Sequence, residues 1–376
     1  MNTAEKKIRV LVVDDSAFMR KVVQTIIAAD PSMQVVGQAS DGREAVTLAE
    51  SLHPDVISMD INMPHVDGLE ATEIIMSRNP RPIVIVSSES CEGARGTLRA
   101  LELGAVDFVS KPASAINLDM NTVREELTRK LKMAAKVRVV RTATRPKSLQ
   151  AMGLREAPRA AEFPAAPHIP AAGEASGGRA FPLVVLAAST GGPAALMNLV
   201  PSFRKDFTAA VVLALHIPAT FTSQFTRQLA DASALHVKEA EAGEALRPRV
   251  LYVCPGSYHL RISPAGLIQL DDGPRIGGYR PCADVTLETA AAWAGPMTIG
   301  VVLTGMGNDG SRGVVAVKTA GGFVVAQDEA TSMIFGMPGE AIRTGAVDEV
   351  HSLEAIPTVI EKRVLYLQGA AKVGAL

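Results

Sequence analysis

This sequence of 376 residues contains few cysteines and few aromatic residues, and its formal net charge is close to zero. Its three cysteines, Cys91, Cys254 and Cys282, are widely separated and form neither a metal-ligand spacing nor a disulfide framework, so we expect a reducing, cytoplasmic setting. Aromatic residues make up only 4% of the chain, which predicts cores of aliphatic side chains. The formal net charge of -1 argues against a nucleic-acid binder dominated by phosphate contacts.

Long apolar runs are also missing. The first apolar run covers residues 8–13 and ends at two aspartates. It is shorter than the core of a signal peptide and far shorter than the ~20 residues that span a bilayer. We therefore expect a soluble protein with no direct membrane insertion, so that any work at a membrane requires a partner at the cytoplasmic face.

Apolar strand patterns and amphipathic helix patterns alternate along two stretches of the chain. The first stretch predicts a domain over residues 6–130, with five strand–helix pairs that start at strand 8–13 and end with a helix from about 120 to 132. Such alternation indicates a doubly wound parallel sheet, which places its chemistry beyond the carboxyl ends of the strands. A second stretch predicts another α/β domain over residues 181–370, with a hairpin near residues 259–270.

Between the two stretches, residues 131–180 are rich in proline and alanine, with more Lys and Arg than Asp and Glu. This composition predicts a flexible, partly extended linker with no binding role of its own.

Carboxylates follow two strands of the first predicted sheet. Asp14 and Asp15 come directly after the first strand, and Asp60 follows the third. Because strand ends meet at one edge of the sheet, these carboxylates are expected to lie close together, where their charges repel. They stay ionised there around a hard dication such as Mg²⁺. Lys111 after the fifth strand and Ser87 after the fourth add a cation and a hydroxyl suited to a phosphoryl group. Together these residues indicate phosphoryl transfer to a carboxylate.

The segments VVDDS, DVISMDINMPHVDG, VSS and GAVDFVSKP closely resemble response-regulator receiver domains. The resemblance implies a flavodoxin-like fold with Asp60 as the phosphoacceptor. It also implies Ser87 and Phe108 as the switch pair, with Phe108 where Tyr is frequent, and Lys111 beside the phosphoryl group. The ligands that it implies for Mg²⁺ are Asp14, Asp15, Asp60 and the backbone carbonyl of Asn62.

A glycine-rich turn, AASTGGP, follows the first strand of the second domain and opens a helix. Ser189 in this turn lies near the positive end of a helix dipole, and the glycines allow a close approach of the backbone. Alone, such a turn is most often structural, and an anion-binding cradle or a nucleophile in a relaxed form of the hydrolase elbow are the two alternatives.

Two further strand ends favour the nucleophile. His216 ends the next strand and Asp309 lies in a glycine-rich loop after a later one. Because strand ends meet at one edge of a parallel sheet, Ser189, His216 and Asp309 would converge as an acyl-transfer triad. Their order along the chain, Ser–His–Asp, differs from the Ser–Asp–His order of α/β-hydrolases, which indicates a different fold.

The segments ASTGGP, LHIPATFTSQF, CPGSYHL, RPCADV, LTGMGNDG and FGMPGEA look like the catalytic domain of the chemotaxis protein-glutamate methylesterases, the CheB family. The resemblance implies a Rossmann-like α/β domain with Ser189 as nucleophile, His216 as general base and Asp309 as the residue that orients it. It further implies that the backbone N–H of Met306 contributes to the oxyanion hole, with Thr190 close by.

Two positions depart from the family pattern. Tyr279 and Cys282 stand where His and Ser are more frequent, which leaves the triad intact but affects the expected contacts to the substrate. Tyr258, His259 and Arg280 are either substrate-groove residues or ordinary loop surface.

The two resemblances imply a phosphorylation-activated serine hydrolase that demethylates glutamate γ-methyl esters on chemoreceptors and also deamidates glutamines. They imply a chemotaxis histidine kinase as phosphoryl donor, Mg²⁺ in the receiver and no cofactor in the catalytic domain, and we expect a monomer.

The main alternative function is a response regulator whose second domain binds DNA. Such a protein would require a compact basic helical domain after the linker. A nucleotide-binding domain would require an acidic residue near Leu215–Ile217. A sensory pathway other than swimming remains compatible with the sequence.

Overall fold

The computed structural model of the chain describes residues 6–87, 91–111, 120–137 and 181–373. We refer to residues 6–137 as the N-terminal unit and to residues 181–373 as the C-terminal unit. Most of the expected linker, residues 138–180, lies outside the described residues. Within the described ranges, no helix combines the length and apolarity needed to cross a membrane.

The N-terminal unit is a five-stranded sheet in the order β2-β1-β3-β4-β5, and every pairing is parallel. Helices alternate with the strands along the chain, so the predicted doubly wound sheet is confirmed. Its elements are β1 Ile8–Val13, α1 Ala17–Ala28, β2 Met33–Ala39, α2 Gly42–Leu52, β3 Val56–Met59, α3 Gly68–Arg78, β4 Ile83–Ser87, α4 Cys91–Glu102, β5 Asp107–Ser110 and α5 Met120–Ala134.

Strand ends and helix starts in this unit follow from local chemistry. The central strands β1 and β3 are apolar runs because helices cover both faces of a parallel sheet, and all four residues of β3 are buried. Three helices begin at side-chain caps: Ser16, Asp41 and Asp67 accept hydrogen bonds from backbone N–H groups in the first turns of α1, α2 and α3. The caps end each loop at a defined residue and so fix the loops at the carboxyl edge of the sheet.

The C-terminal unit is a seven-stranded parallel sheet in the order β14-β13-β12-β6-β7-β9-β8. The predicted hairpin is present as a separate two-stranded antiparallel sheet. The elements are β6 Leu183–Ala188, α6 Gly192–Leu199, β7 Ala210–Leu215, α7 Ala219–Ala232, β8 His236–Glu239, β9 Val250–Val253, β10 His259–Ile262, β11 Ile268–Asp271, α8 Ala283–Ala294, β12 Thr298–Val302, α9 Ser311–Thr319, β13 Phe323–Gln327, α10 Met337–Arg343, β14 Glu349–His351 and α11 Ile356–Val373.

Strand β6 lies at the centre of this sheet, between β12 and β7, and its six residues are fully buried. Its last residue, Ala188, pairs with Leu215, the last residue of β7. The two residues that follow, Ser189 and His216, therefore emerge side by side at the carboxyl edge, and the His216 N–H donates to the Ala188 carbonyl at 3.1 Å. The register of two strands thus places the candidate nucleophile next to the candidate base.

The two units pack directly against each other. Helix α4 lies against α6 and α7. Phe108 on β5 contacts Phe221 on α7, with ring centroids 4.6 Å apart, and buried side chains of both units form one continuous apolar cluster. The apolar contact joins the units on the side where β6 and β7 end.

Candidate functional site

An acidic cluster lies at the carboxyl edge of the N-terminal sheet. Asp14 and Asp15 follow β1 and Asp60 follows β3, and their ligand atoms lie within 4.8 Å of one another. Asp14 and Asp60 are buried, whereas Asp15 is exposed. Three carboxylates at this separation fit a hard divalent cation with oxygen ligands, such as Mg²⁺.

Lys111 bridges the cluster, since its Nζ lies 2.8 Å from Asp14 Oδ2 and 2.8 Å from Asp60 Oδ2. Burial raises the pKa of Asp60, although its hydrogen bond from Lys111 acts in the opposite direction. Burial would lower the pKa of Lys111, but the hydrogen bonds to Asp14 and Asp60 outweigh burial and raise it. The ammonium therefore stays charged at the point where phosphoryl oxygens would gather.

The loop after Asp60 is held close to the sheet by a glycine. The Gly68 N–H donates to the Ile61 carbonyl at 2.8 Å, and a Cβ at Gly68 would lie 1.9 Å from the Asp60 carbonyl oxygen. Only glycine leaves room for this approach, which starts α3 directly beside the acidic cluster. Asn62 is exposed within the same loop.

The two predicted switch residues, Ser87 and Phe108, are both buried. The Ser87 hydroxyl donates to the Gly93 carbonyl at 3.3 Å. Phe108 contacts Phe221 of the C-terminal unit, and Lys130 Nζ lies 5.0 Å from the centre of its ring. Phe108 is thus in direct contact with the second unit, a feature that the sequence pattern did not reveal.

Ser189 lies in the tight turn between β6 and α6. Gly191 has φ of 77°, in the left-handed region, and a Cβ there would lie 2.7 Å from Met333 Cβ. The Ser189 N–H donates to the Thr304 carbonyl at 3.1 Å, which fixes the turn on the end of β12. The glycine and this bond hold Ser189 at the start of α6, as the motif predicted.

His216 and Asp309 form a hydrogen-bonded pair. His216 Nε2 lies 2.8 Å from Asp309 Oδ2, and the imidazole is 11% exposed. Because a carboxylate only accepts hydrogen bonds, Nε2 must carry the proton, which leaves Nδ1 as the basic nitrogen. Nδ1 is buried and has no hydrogen-bond partner among the described residues. The Ser189 hydroxyl also makes no hydrogen bond within the described part of the chain, an arrangement common before substrate binds.

Asp309 is held in place from several sides. Its carboxylate accepts hydrogen bonds from the backbone N–H groups of Ala283, Asp284 and Gly310 at 2.7, 2.9 and 3.0 Å. Burial would raise the pKa of Asp309, but the hydrogen bond from His216 and the backbone donors outweigh burial and lower it. His216 and the N-terminus of α8 together therefore keep Asp309 ionised, as an orienting partner for the imidazole requires.

The two departures from the family pattern contact the triad itself. Tyr279 stacks on the His216 ring with centroids 4.3 Å apart and planes 15° apart. Cys282 Sγ donates to Asp309 Oδ1 at 3.2 Å, and burial, followed by the charge of Asp309, raises the pKa of this thiol to about 12. Both residues therefore lie beside the base and its partner, closer to the reacting groups than the sequence indicated.

The three candidate groove residues differ in their surroundings. Tyr258 is partly exposed. His259 is buried, and its Nε2 contacts the Pro274 carbonyl at 3.1 Å. Arg280 donates to the carbonyls of Asp272 and Gly273 at 2.6 and 2.8 Å. His259 and Arg280 thus support the loop, and Tyr258 alone of the three presents a largely free side chain.

Residues of the N-terminal unit reach the groups beside Ser189. Thr190 Oγ1 donates to Asp107 Oδ2 at 2.5 Å, and Arg129 Nη1 donates to Met306 Sδ at 3.2 Å. Lys130 Nζ holds the other carboxylate oxygen of Asp107 at 3.0 Å. The two residues expected to support the oxyanion, Thr190 and Met306, are therefore both in contact with the N-terminal unit.

Comparison with known proteins identifies two family matches. The family model described as CheB methylesterase matches residues 184–360, and the model described as response regulator receiver domain matches residues 10–123.

Several proteins resemble the chain over nearly its whole length. The protein-glutamate methylesterase/protein-glutamine glutaminase of Pyrococcus horikoshii is 43% identical over 372 residues, which cover 98% of this chain and 97% of that protein. The proteins of the same name from Symbiobacterium thermophilum and Thermotoga maritima are 40% and 41% identical. The match to the Symbiobacterium thermophilum protein covers 96% of this chain and 98% of that protein. The match to the Thermotoga maritima protein covers 94% of this chain and 97% of that protein.

Proposed function

This chain belongs to the CheB methylesterase family, and from that premise we propose that it is a phosphorylation-activated serine hydrolase that demethylates glutamate γ-methyl esters on chemoreceptors. We also propose deamidation of glutamine side chains as its second activity, since its relatives are named for both reactions. The observation that carries the proposal is the emergence of Ser189 and His216 from paired strand ends, with Asp309 2.8 Å from the imidazole.

The triad residues perform acyl transfer in two steps. Ser189 Oγ attacks the ester carbonyl carbon while His216 Nδ1 takes its proton, and Asp309 stabilises the imidazolium through Nε2. The imidazolium then protonates the departing methoxide, and methanol leaves. Water, deprotonated by His216, hydrolyses the glutamyl ester of Ser189 and yields a glutamate carboxylate. For glutamine the leaving group is ammonia.

The oxyanion formed in each step needs preorganised donors. We assign this role to the backbone N–H of Met306, because the preceding residue, Gly305, lies so close to Ser189 that a Cβ there would be 2.9 Å from the Ser189 Cβ. Thr190, which directly follows Ser189, is its expected neighbour. One such donor contributes roughly 3–4 kcal/mol to the transition state in comparable sites.

The acidic cluster is the proposed phosphorylation site, with Asp60 as the phosphoacceptor. Asp14, Asp15, Asp60 and the Asn62 carbonyl would hold Mg²⁺, which when bound supplies charge neutralisation for the phosphoryl oxygens. Lys111, already 2.8 Å from Asp60, would pair with a phosphoryl oxygen. A receptor-coupled histidine kinase in the cytoplasm is the proposed donor, and the protein is proposed to act as a monomer.

A direct test uses a peptide that contains a glutamate γ-methyl ester. With Mg²⁺ and phosphoramidate as a small phosphoryl donor, the full chain should release one methanol per ester cleaved, and a glutamine peptide should release ammonia. Methanol is measured with alcohol oxidase, and the product carboxylate by mass spectrometry. If the peptide ester remains intact under these conditions, the proposed activity is wrong.

Regulation is proposed to act through the contact between the units. Asp107, Phe108 and Arg129 contact Thr190, Phe221 and Met306, and these contacts support the proposal that the N-terminal unit restricts access to Ser189. Phosphorylation at Asp60, which would reorient Ser87 and Phe108, is proposed to weaken this packing and expose the site.

A charge placed between the units should activate the enzyme without phosphorylation. Leu101 on α4 is buried and lines a small gap that faces Pro193, Met197 and Phe225. In Leu101→Glu a carboxylate would have to be buried without a partner, which is costly. Because each 1.4 kcal/mol changes an equilibrium tenfold, the basal rate should rise more than about tenfold. Leu365→Glu, at a position that is 67% exposed on α11, is the control. Unchanged basal rates in Leu101→Glu and in a chain that lacks residues 1–146 would contradict inhibition by occlusion.

A further inference from the structure

We propose that Tyr279 is a positioning residue that holds the His216 imidazole and the Met306–Gly307 peptide in a fixed relation during catalysis. This inference rests on the proposed function, because it assigns these two groups the roles of base and oxyanion support. It concerns a position where this chain carries Tyr and the family pattern more often has His.

The first support is the geometry of the stack. The Tyr279 and His216 rings are 4.3 Å apart at their centroids and nearly parallel, with 15° between their planes. The bond to Asp309 holds the imidazole only at Nε2, so the ring could still swing about the line that joins Cβ to Nε2. Nδ1 has no hydrogen-bond partner within the described residues that would prevent this rotation. The face of Tyr279 supplies the missing restraint and keeps Nδ1 in one orientation.

The second support is the rigidity of the segment that carries Tyr279. Ile276 and Tyr279 exchange two backbone hydrogen bonds of 3.0 Å across a two-residue turn. The turn residues Gly277 and Gly278 have φ of 60° and 89°, as a tight hairpin turn requires. The next residue, Arg280, is anchored to the carbonyls of Asp272 and Gly273. The backbone that carries the phenol is therefore fixed independently of His216.

The third support is the contact that the hydroxyl end of the phenol makes with the Met306–Gly307 peptide. Tyr279 Oη lies 3.5 Å from the Met306 carbonyl oxygen, and a Cβ at Gly307 would lie 2.0 Å from Oη. Gly307 has φ of 86°, so both space and conformation require glycine there. Burial raises the pKa of Tyr279, so the phenol stays neutral at physiological pH. One side chain thus spans the distance between the base and the loop proposed to hold the oxyanion.

These contacts predict a selective loss of turnover. Misplacement of a catalytic group by about 1 Å can reduce the rate ~100-fold. In Tyr279→Ala, kcat for methanol release should fall by about 10- to 100-fold, while KM changes less than about twofold. Tyr279→Leu fills similar space without a flat face and should show a comparable loss. Tyr279→Phe keeps the ring against His216 and loses only the contact of Oη with Met306, so its kcat should lie closer to that of wild type than to that of Tyr279→Ala.

The assay uses the full chain with phosphoramidate, Mg²⁺ and the methyl-ester peptide, and thermal unfolding confirms that each variant is folded. Tyr366→Ala, at a position that is 63% exposed on α11, is the control. The inference is overturned if Tyr279→Ala and Tyr279→Leu keep the wild-type kcat, or if their loss appears only in KM, which would indicate a substrate contact. A loss in Tyr279→Phe as large as in Tyr279→Ala would overturn it as well. Absence of methanol release by wild type would instead contradict the proposed function.

Discussion

Ser189→Ala should lower kcat for methanol release by about 10⁴- to 10⁶-fold, the range found when a serine nucleophile is removed from a triad. The alanine keeps the turn between β6 and α6, because the Ser189 N–H, which donates to the Thr304 carbonyl, is unchanged. The fold should therefore be preserved while the proposed nucleophile is lost. The measurement is methanol release from the methyl-ester peptide with phosphoramidate present.

Ser202→Ala is the matched control, because Ser202 is exposed and follows the same helix. It should retain the wild-type rate. Mass spectrometry adds a second readout: an activated glutamyl ester with a good leaving group, such as the p-nitrophenyl ester, should acylate the peptide that contains Ser189 in wild type and leave the alanine variant unmodified. A Ser189→Ala enzyme with more than a tenth of wild-type turnover would show that another group attacks the ester.

Asp309→Asn should lower kcat by about 10⁴-fold, as expected when the partner of a triad histidine can no longer hold the correct tautomer. The amide also matches its surroundings poorly. The carboxylate accepts from three backbone N–H groups and from Cys282, so an amide NH₂ would face donors. We expect a loss of unfolding free energy of about 1–3 kcal/mol in addition to the loss of turnover.

Denaturant titration measures the change in stability and methanol release measures the change in turnover. Asp231→Asn is the control, since Asp231 is exposed at the end of α7. If Asp309→Asn retains turnover within tenfold of wild type, Asp309 does not orient the base, and the proposed mechanism requires another partner for His216.

Much of the fold could be predicted because buried parallel strands leave a clear pattern in the sequence. β6 is a continuous apolar run and β1 is one apart from Arg9, and the two strands are followed by a glycine-rich turn and a capping turn, respectively. The sequence pattern does not predict strand β8, because this strand is short and lies at the sheet edge, with Val237 as its single apolar residue. The prediction also lacks helix α11, although its buried residues are spaced three or four apart: Ile356, Ile360, Val364 and Leu367.

The candidate catalytic residues could be proposed from the sequence because each follows a strand of one sheet. The contacts of Tyr279 and Cys282 with the triad could not be anticipated, since both lie on a loop whose course depends on Gly277 and Gly278. The same holds for the bond between Asp107 and Thr190, which joins residues 83 positions apart in sequence. No local periodicity encodes a contact between two separately folded sheets.

The most direct test of the account is the rate of methanol release by the full chain with and without phosphoramidate, in the presence of Mg²⁺. The account predicts a low rate without the donor, a clear rise with it in wild type, and no rise in Asp60→Asn. The Asp60→Asn protein should keep the low basal rate, because its triad is intact. Equal rates with and without the donor in wild type, or a rise that persists in Asp60→Asn, would contradict the claim that phosphorylation of Asp60 controls access to Ser189.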